Sequence, residues 1–213
     1  MSSLTRQQVI DWLKTIHIKV ENVLDIGAGD NPASNYAKVE CKRYARLDID
    51  KYSKPDYLVD LSELWCCLFL KAMREKWDAI FCIEVMEHIK NPAIAFHNMR
   101  NVLKPNGKLF LSVVLIYPHH GKQDYLRYTD YGLRIMLEEA DFTDIKIMPR
   151  IATAGRKELM EFFIKEGMHS PEMREQYNEF IPIGYMVEAR KKSHEEMQKD
   201  YEPQNSKNNQ KRI

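Results

Sequence analysis

The chain has 213 residues, 44% of them apolar, and its 32 basic and 31 acidic side chains leave a formal net charge of +1. That length suits one domain with embellishments, whose core buries about 70% of the surface of the unfolded chain without help from disulfides. The even charge balance argues against a chain whose main work is neutralising nucleic-acid phosphates, so nucleic acid is disfavoured as a partner.

No run of about 18 apolar residues appears, and the opening MSSLTRQQVIDWLK lacks the apolar block of a signal peptide. A soluble, cytoplasmic protein without a membrane partner is expected. The cysteines Cys41, Cys66, Cys67 and Cys82 form no CxxC pair and read as reduced, partly buried thiols. No cysteine or histidine cluster stands at metal-ligand spacing, so no metal is expected.

In chain order, Val9, Ile10, Leu13 and Ile16 recur at helical spacing behind a polar start at Ser3 or Thr5, giving an N-terminal helix within residues 1–20. NVLDIG then reads as a buried strand closed by glycines. Further strands are expected at YARLDI (44–49), DYLVDL (56–61), DAIFCIE (78–84) and KLFLSVVLI (108–116). Helices are expected over 61–76 and 91–103, the second with Pro92 in its first turn. Strands apolar on both faces and separated by helices indicate a mostly parallel sheet covered on both sides.

After Thr129, a natural cap, Leu133, Met136, Leu137 and Ala140 mark another helix, followed by a strand at 144–148. A helical insertion over 155–180, with Met160, Phe162 and Phe163, reads as core with a lid contribution from its ends. IGYMVEA (183–189) alternates as a last strand. From 191 to 213 the composition is charged and polar, so a frayed, disordered tail is expected.

Chemistry concentrates at the strand ends. In VLDIGAGDNP a strand closes on Gly27 and Gly29, with Asp25 two residues ahead; glycines there let the chain turn sharply and let a ligand lie against the backbone. About 20 residues on, Asp48 ends the next strand, where a carboxylate accepts hydrogen bonds from both ribose hydroxyls. Asp60 ends the third, near the adenine edge of a bound nucleoside. Singly, Asp48 is a solvated loop acid and Asp60 a helix cap; together, at successive strand ends, they mark a nucleoside crevice. Pro32 stands where a pyrophosphate-binding GxGxxG turn has its third glycine, and Asp25 puts negative charge where a phosphate would lie. A cationic adenosine derivative suits such a pocket better than a dinucleotide.

These segments, with WDAIFCIEVMEHIKNP and NVLKPNGKLFLSV, resemble the class I S-adenosylmethionine-dependent methyltransferases, in particular the small methyltransferase-domain group labelled type 11. The resemblance runs from about Val23 to Phe142 and implies a doubly wound, Rossmann-like α/β fold. Its mostly parallel sheet would have seven strands, the last antiparallel, with the methyltransferase domain at 21–190. It also implies S-adenosyl-L-methionine as cofactor. Asp25, Gly27 and Gly29 would hold the methionine end, Asp48 with Ile49 the ribose, and Asp60 with Leu61 the adenine, while Glu84 and Val85 line the cofactor. Glu87 and His88 of EVMEHI match an acid–His pair of the family, which reads here as structural more than functional, with His88 kept as a substrate-side candidate.

The loop YPHHGKQDYLRYT should border a small-molecule acceptor. His119 or His120 is the expected general base for transfer to an oxygen or nitrogen, because an imidazole is poised near neutral pH. Asp124, Tyr125, Arg127 and Tyr128 are substrate-side candidates, although Asp124 and Arg127 also make a plausible loop clasp and Tyr128 a core residue. Rival readings are a nicotinamide-dependent oxidoreductase, opposed by Pro32 and Asp25; a non-catalytic nucleoside-binding module acting through a partner; and a nucleic-acid methylase, opposed by EVME where an NPPY-type motif would stand. The oligomeric state and the acceptor stay open at this level.

Overall fold

A computed structural model describes residues 4–64, 67–152, 161–162, 165–167 and 182–201. Its centre is a seven-stranded sheet built from β1 (His17–Ile26), β2 (Lys38–Asp48), β3 (Tyr57–Leu58), β4 (Trp77–Ile83), β5 (Leu103–Val114), β6 (Phe142–Ile151) and β7 (Pro182–Lys191). The strand order is β3-β2-β1-β4-β5-β7-β6. All neighbours from β3 to β5 run parallel, and β7 runs antiparallel to both β5 and β6. The doubly wound sheet with an antiparallel last strand is therefore as the family resemblance implies.

The order reverses between β1 and β4, and in such sheets the crevice outside the carboxyl ends of the strands at that point is where ligands bind. Both strands are fully buried there, at Val23, Leu24, Ala79, Ile80 and Phe81. One face of the sheet is covered by α2 (Cys67–Met73), α3 (Pro92–Val102) and α4 (Asp130–Glu139), which deliver Met73, Phe96, Met99, Leu133 and Leu137 to the larger core cluster. The other face takes α1 (Leu4–Thr15), whose Val9, Trp12 and Leu13 pack with Phe81, Phe110 and Met186. Thr129 caps α4, its hydroxyl accepting from the Gly132 amide at 3.2 Å.

Several boundaries differ from expectation for identifiable reasons. β1 starts five residues before NVLDIG because the stretch from His17 alternates polar and apolar side chains, a strand period that the charged residues obscure. β3 shrinks to two residues. The helix expected over 61–76 is described only from Cys67 to Met73: the Asn98 side chain donates to the carbonyls of Leu61 and Glu63, at 3.2 and 2.8 Å, and holds that stretch as a turn.

The expected frayed tail is corrected over 191–201. Lys191 is buried at the end of β7 and donates to the Leu103 carbonyl at 2.7 Å, and His194–Tyr201 forms α5, with Met197 buried. Arg190 joins Asp144 at 2.6 Å to Glu196 at 2.8 Å, so the charged composition is an ion-pair network there. The insertion expected over 155–180 lies outside the described residues except at 161–162 and 165–167. No described helix is long and apolar enough to cross a membrane.

Candidate active site

Asp25 is 1% exposed and lies under the first turn after β1. Its Oδ2 accepts from the Ala33 amide at 2.7 Å and from the Tyr44 hydroxyl at 2.5 Å. Burial outweighs these bonds and pushes the carboxyl up to about 6, while burial also raises the Tyr44 hydroxyl. Gly27 sits at φ +67°, and a Cβ there would meet Val85 Cγ2 at 2.4 Å, so the backbone is pressed against the end of β4. Gly29, at φ +51°, has open space where a side chain would project.

Asp48 closes β2 directly across this turn. Its Oδ2 accepts from the Gly29 amide at 3.2 Å and its Oδ1 from the Asp50 amide at 2.9 Å. The carboxylate therefore already takes an amide that a phosphate would need. Asp60 folds onto the following chain, its Oδ1 accepting from the Ser62 amide at 2.7 Å. Asp48, Ile49, Asp60, Leu61 and Val85 line a crevice of about 230 Å³.

Gly27, Glu84 and His88 belong both to this crevice and to a larger cavity of about 620 Å³. The larger one runs from Asp25 and Gly29 past Glu87 and His120 to α1, which supplies Val9, Ile10 and Leu13. Glu84 is held at φ +56°, a conformation costly for a residue with a side chain. Its Oε1 accepts from the Ser112 hydroxyl at 2.8 Å and from Arg150 Nη1 at 2.7 Å, which fixes the carboxylate between β5 and β6.

Two loops that follow adjacent strands meet in the wall of the larger cavity. A 3-10 turn at Met86–His88 follows β4, and the loop after β5 brings His120 against it. The His88 and His120 rings meet edge to face, with centroids 4.9 Å apart. Glu87 is buried beside them, and burial together with the charge of Glu84 pushes its carboxyl up to about 7. One donor atom from each of Glu87, His88 and His120 lies within 4.8 Å of the other two. Glu87 and His88 are neighbours in sequence, and the pairing of β4 with β5 brings His120, more than 30 residues on, to them.

The acceptor-side candidates separate. His120 and His88 line the larger cavity, and Tyr125 lines the crevice, whereas exposed His119 lines neither. Tyr128 is a correction: it is buried, its hydroxyl donating to the Met86 carbonyl at 2.9 Å, and it serves the core. Asp124 and Arg127 also line neither cavity. They form a two-pronged ion pair, one arm of it Arg127 Nη2 to Asp124 Oδ2 at 2.7 Å, and Arg127 holds the Asp124 carboxyl well below the usual range. Sequence reasoning did not place Arg6, Tyr36 or Arg150 at the cavity. The apolar face of α1 was visible as core, but not the edge of it that walls the site.

Comparisons with known proteins bear on the family and the fold. The sequence profile of a methyltransferase domain matches residues 3–147. A ubiquinone biosynthesis O-methyltransferase from Dechloromonas aromatica is 27% identical over 120 residues, which is 49% of this chain and 50% of that protein. The chain therefore spans about half the length of the curated relative it matches.

Among solved structures, an S-adenosylmethionine-dependent methyltransferase from Mesorhizobium loti superposes with a TM-score of 0.56 at 14% identity, over 89% of this chain and 99% of that one. A Haemonchus contortus phosphoethanolamine N-methyltransferase, bound to S-adenosylhomocysteine, does so at 0.52 and 14%, over 90% and 53%. These two share the fold, while the profile match covers more than half of the sequence. The chain belongs to the methyltransferase-domain family, built on the S-adenosylmethionine-dependent class I fold.

Proposed function

We propose that the protein transfers a methyl group from S-adenosylmethionine to an oxygen or nitrogen of a small molecule. The observation that carries this reading is the meeting of the two cavities at Gly27, Glu84 and His88. One is bounded by carboxylates at the ends of β2 and β3, and the other, at about 620 Å³, has the size of a small-molecule site.

The residues present fit the cofactor. Asp48 offers acceptor oxygens to ribose hydroxyls, Asp60 and Leu61 flank the place for adenine, and Asp25 with the Gly27–Gly29 turn faces the end that carries an ammonium. The Gly29 amide, engaged by Asp48, favours a ligand without phosphate there. Bound in this position, the cofactor supplies an electrophilic methyl group on a sulfonium.

The chain's own part is alignment. Val85 against Gly27 fixes the floor between the cavities, and the Glu84–Ser112–Arg150 bonds hold the adjoining wall rigid. Val9, Ile10 and Leu13 exclude water from the acceptor's side. Holding acceptor and methyl carbon in line in a dry site supplies several kcal/mol of rate enhancement, about 7–11 in favourable cases. The name of the curated relative favours oxygen as the receiving atom.

The test combines calorimetry with turnover. S-adenosylhomocysteine should bind with one site per chain, and a labelled methyl group should move into one member of a panel of phenols, catechols and amines. Saturation by NADH instead, with no heat from either adenosyl ligand, would overturn the reading.

A further inference from the structure

We infer that Glu87, His88 and His120 form a binding site for one divalent transition-metal cation in the wall of the larger cavity. The site rests on what each of the three leaves unused. Glu87 is 2% exposed, yet its Oε2 has no hydrogen-bond partner among the described residues, and a carboxylate kept only for structure would be satisfied. His88 has Nδ1 2.7 Å from the Gln123 carbonyl, which makes that nitrogen the protonated one and leaves Nε2 with its lone pair. His120 has Nδ1 3.2 Å from Asp124 Oδ2 and 3.3 Å from the Pro118 carbonyl, with the same result.

Oxygen acceptors behind the far nitrogen of an imidazole are what orients a metal-binding histidine and raises its basicity. Asp124 is itself pinned by Arg127, so the support continues one step further back. The ion pair that lines neither cavity thereby acquires a positioning role.

One nitrogen or carboxylate oxygen from each of the three residues already lies within 4.8 Å of the other two. Ligands held at about 2.0–2.2 Å from a cation stand about 3–3.5 Å apart. From 4.8 Å, closing the gap takes about 1.3–1.8 Å, and His120 stands on the loop after β5 and not on a strand or helix. Two imidazole nitrogens and one carboxylate oxygen suit zinc, cobalt, manganese or ferrous iron; magnesium and calcium prefer all-oxygen sets. Glu84 is not one of the three grouped residues, and its Oε1 is held by Ser112 and Arg150. With three protein ligands, coordination positions remain for an oxygen of the acceptor. That use rests on the methyl-transfer reading, whereas the cation site itself stands on these residues alone.

The test uses the untagged full chain, stripped with a chelator and titrated with Co2+ while visible absorption and bound metal are measured. One Co2+ per chain should bind and be displaced by Zn2+. His120→Ala and Glu87→Gln should each weaken binding by about tenfold or more, and His97→Ala, on the exposed side of α3, should leave it unchanged. The same samples are titrated with S-adenosylhomocysteine. Normal nucleoside binding without saturable Co2+ binding, or Co2+ binding indifferent to His120→Ala, overturns the metal site alone. Loss of both in the wild-type chain overturns the methyl-transfer reading as well.

Discussion

The backbone of Gly27 lies so close to Val85 that a Cβ on the glycine would stand 2.4 Å from Val85 Cγ2. This contact joins the turn after β1 to the segment that follows β4, where Gly27 lines both cavities and Val85 the smaller crevice. Replacing Gly27 by Ala should cost about 1–2 kcal/mol for the left-handed backbone, φ being +67°. A further ~1–3 kcal/mol should come from overpacking. Pairing it with Val85→Ala should recover the overpacking part and leave the backbone part, a split that urea unfolding of the two variants resolves. Calorimetry should show cofactor binding lost in the single variant, and a single variant that binds normally would mean the cofactor does not lie against this turn.

Asp48 makes its two hydrogen bonds to backbone amides and still faces the crevice. In the proposed function Asp48→Ala would remove charge-assisted bonds to the ribose worth about 1.5–3 kcal/mol, so cofactor affinity should fall by roughly 10- to 100-fold. Asp48→Asn, which keeps an acceptor oxygen for the Gly29 amide, should lose less. Unchanged affinity in both variants would take Asp48 out of the site.

Tyr128 illustrates a residue that composition suggests for the substrate and packing assigns to the core. Tyr128→Phe removes one of the two donors to the Met86 carbonyl, which keeps the Ile89 amide at 3.2 Å, and the expected cost is about 0.5–1.5 kcal/mol in urea unfolding, with cofactor affinity unchanged. A raised KM for an acceptor at unchanged stability would restore Tyr128 to the substrate.

How much of this was legible in the sequence depended on whether the relationship is local. Asp25, Gly27, Asp48 and Asp60 stand at the ends of consecutive strands, so strand patterning placed them together. His120 meets the adjacent pair Glu87 and His88 only because β4 and β5 are neighbours in the sheet, an order that hydrophobic periodicity does not encode. Arg150 reaches Glu84 from β6, at the far edge of the sheet, by the same kind of long-range arrangement. The helix at His194–Tyr201 escaped notice because what anchors it is Met197 and the Arg190–Glu196 pair, set in a stretch whose composition reads as solvated.

Asp25 connects the site to pH. Its carboxyl, raised by burial from 3.8 to about 6, binds a proton more readily in the folded chain than in the unfolded one. Its contribution to stability is therefore present below about 4 and is lost as pH rises through about 6. A ligand ammonium has the opposite preference, because it pairs with the ionised form. S-adenosylhomocysteine carries that ammonium and no sulfonium, so its affinity should rise about tenfold between pH 5 and pH 7 and then level off. Asp25→Asn should bind more weakly and flatten the profile, since nothing titrates at that position. Calorimetry at pH 5, 6 and 7 on both proteins checks this, and a flat profile for the wild-type chain would show that the methionine end is held by some other group.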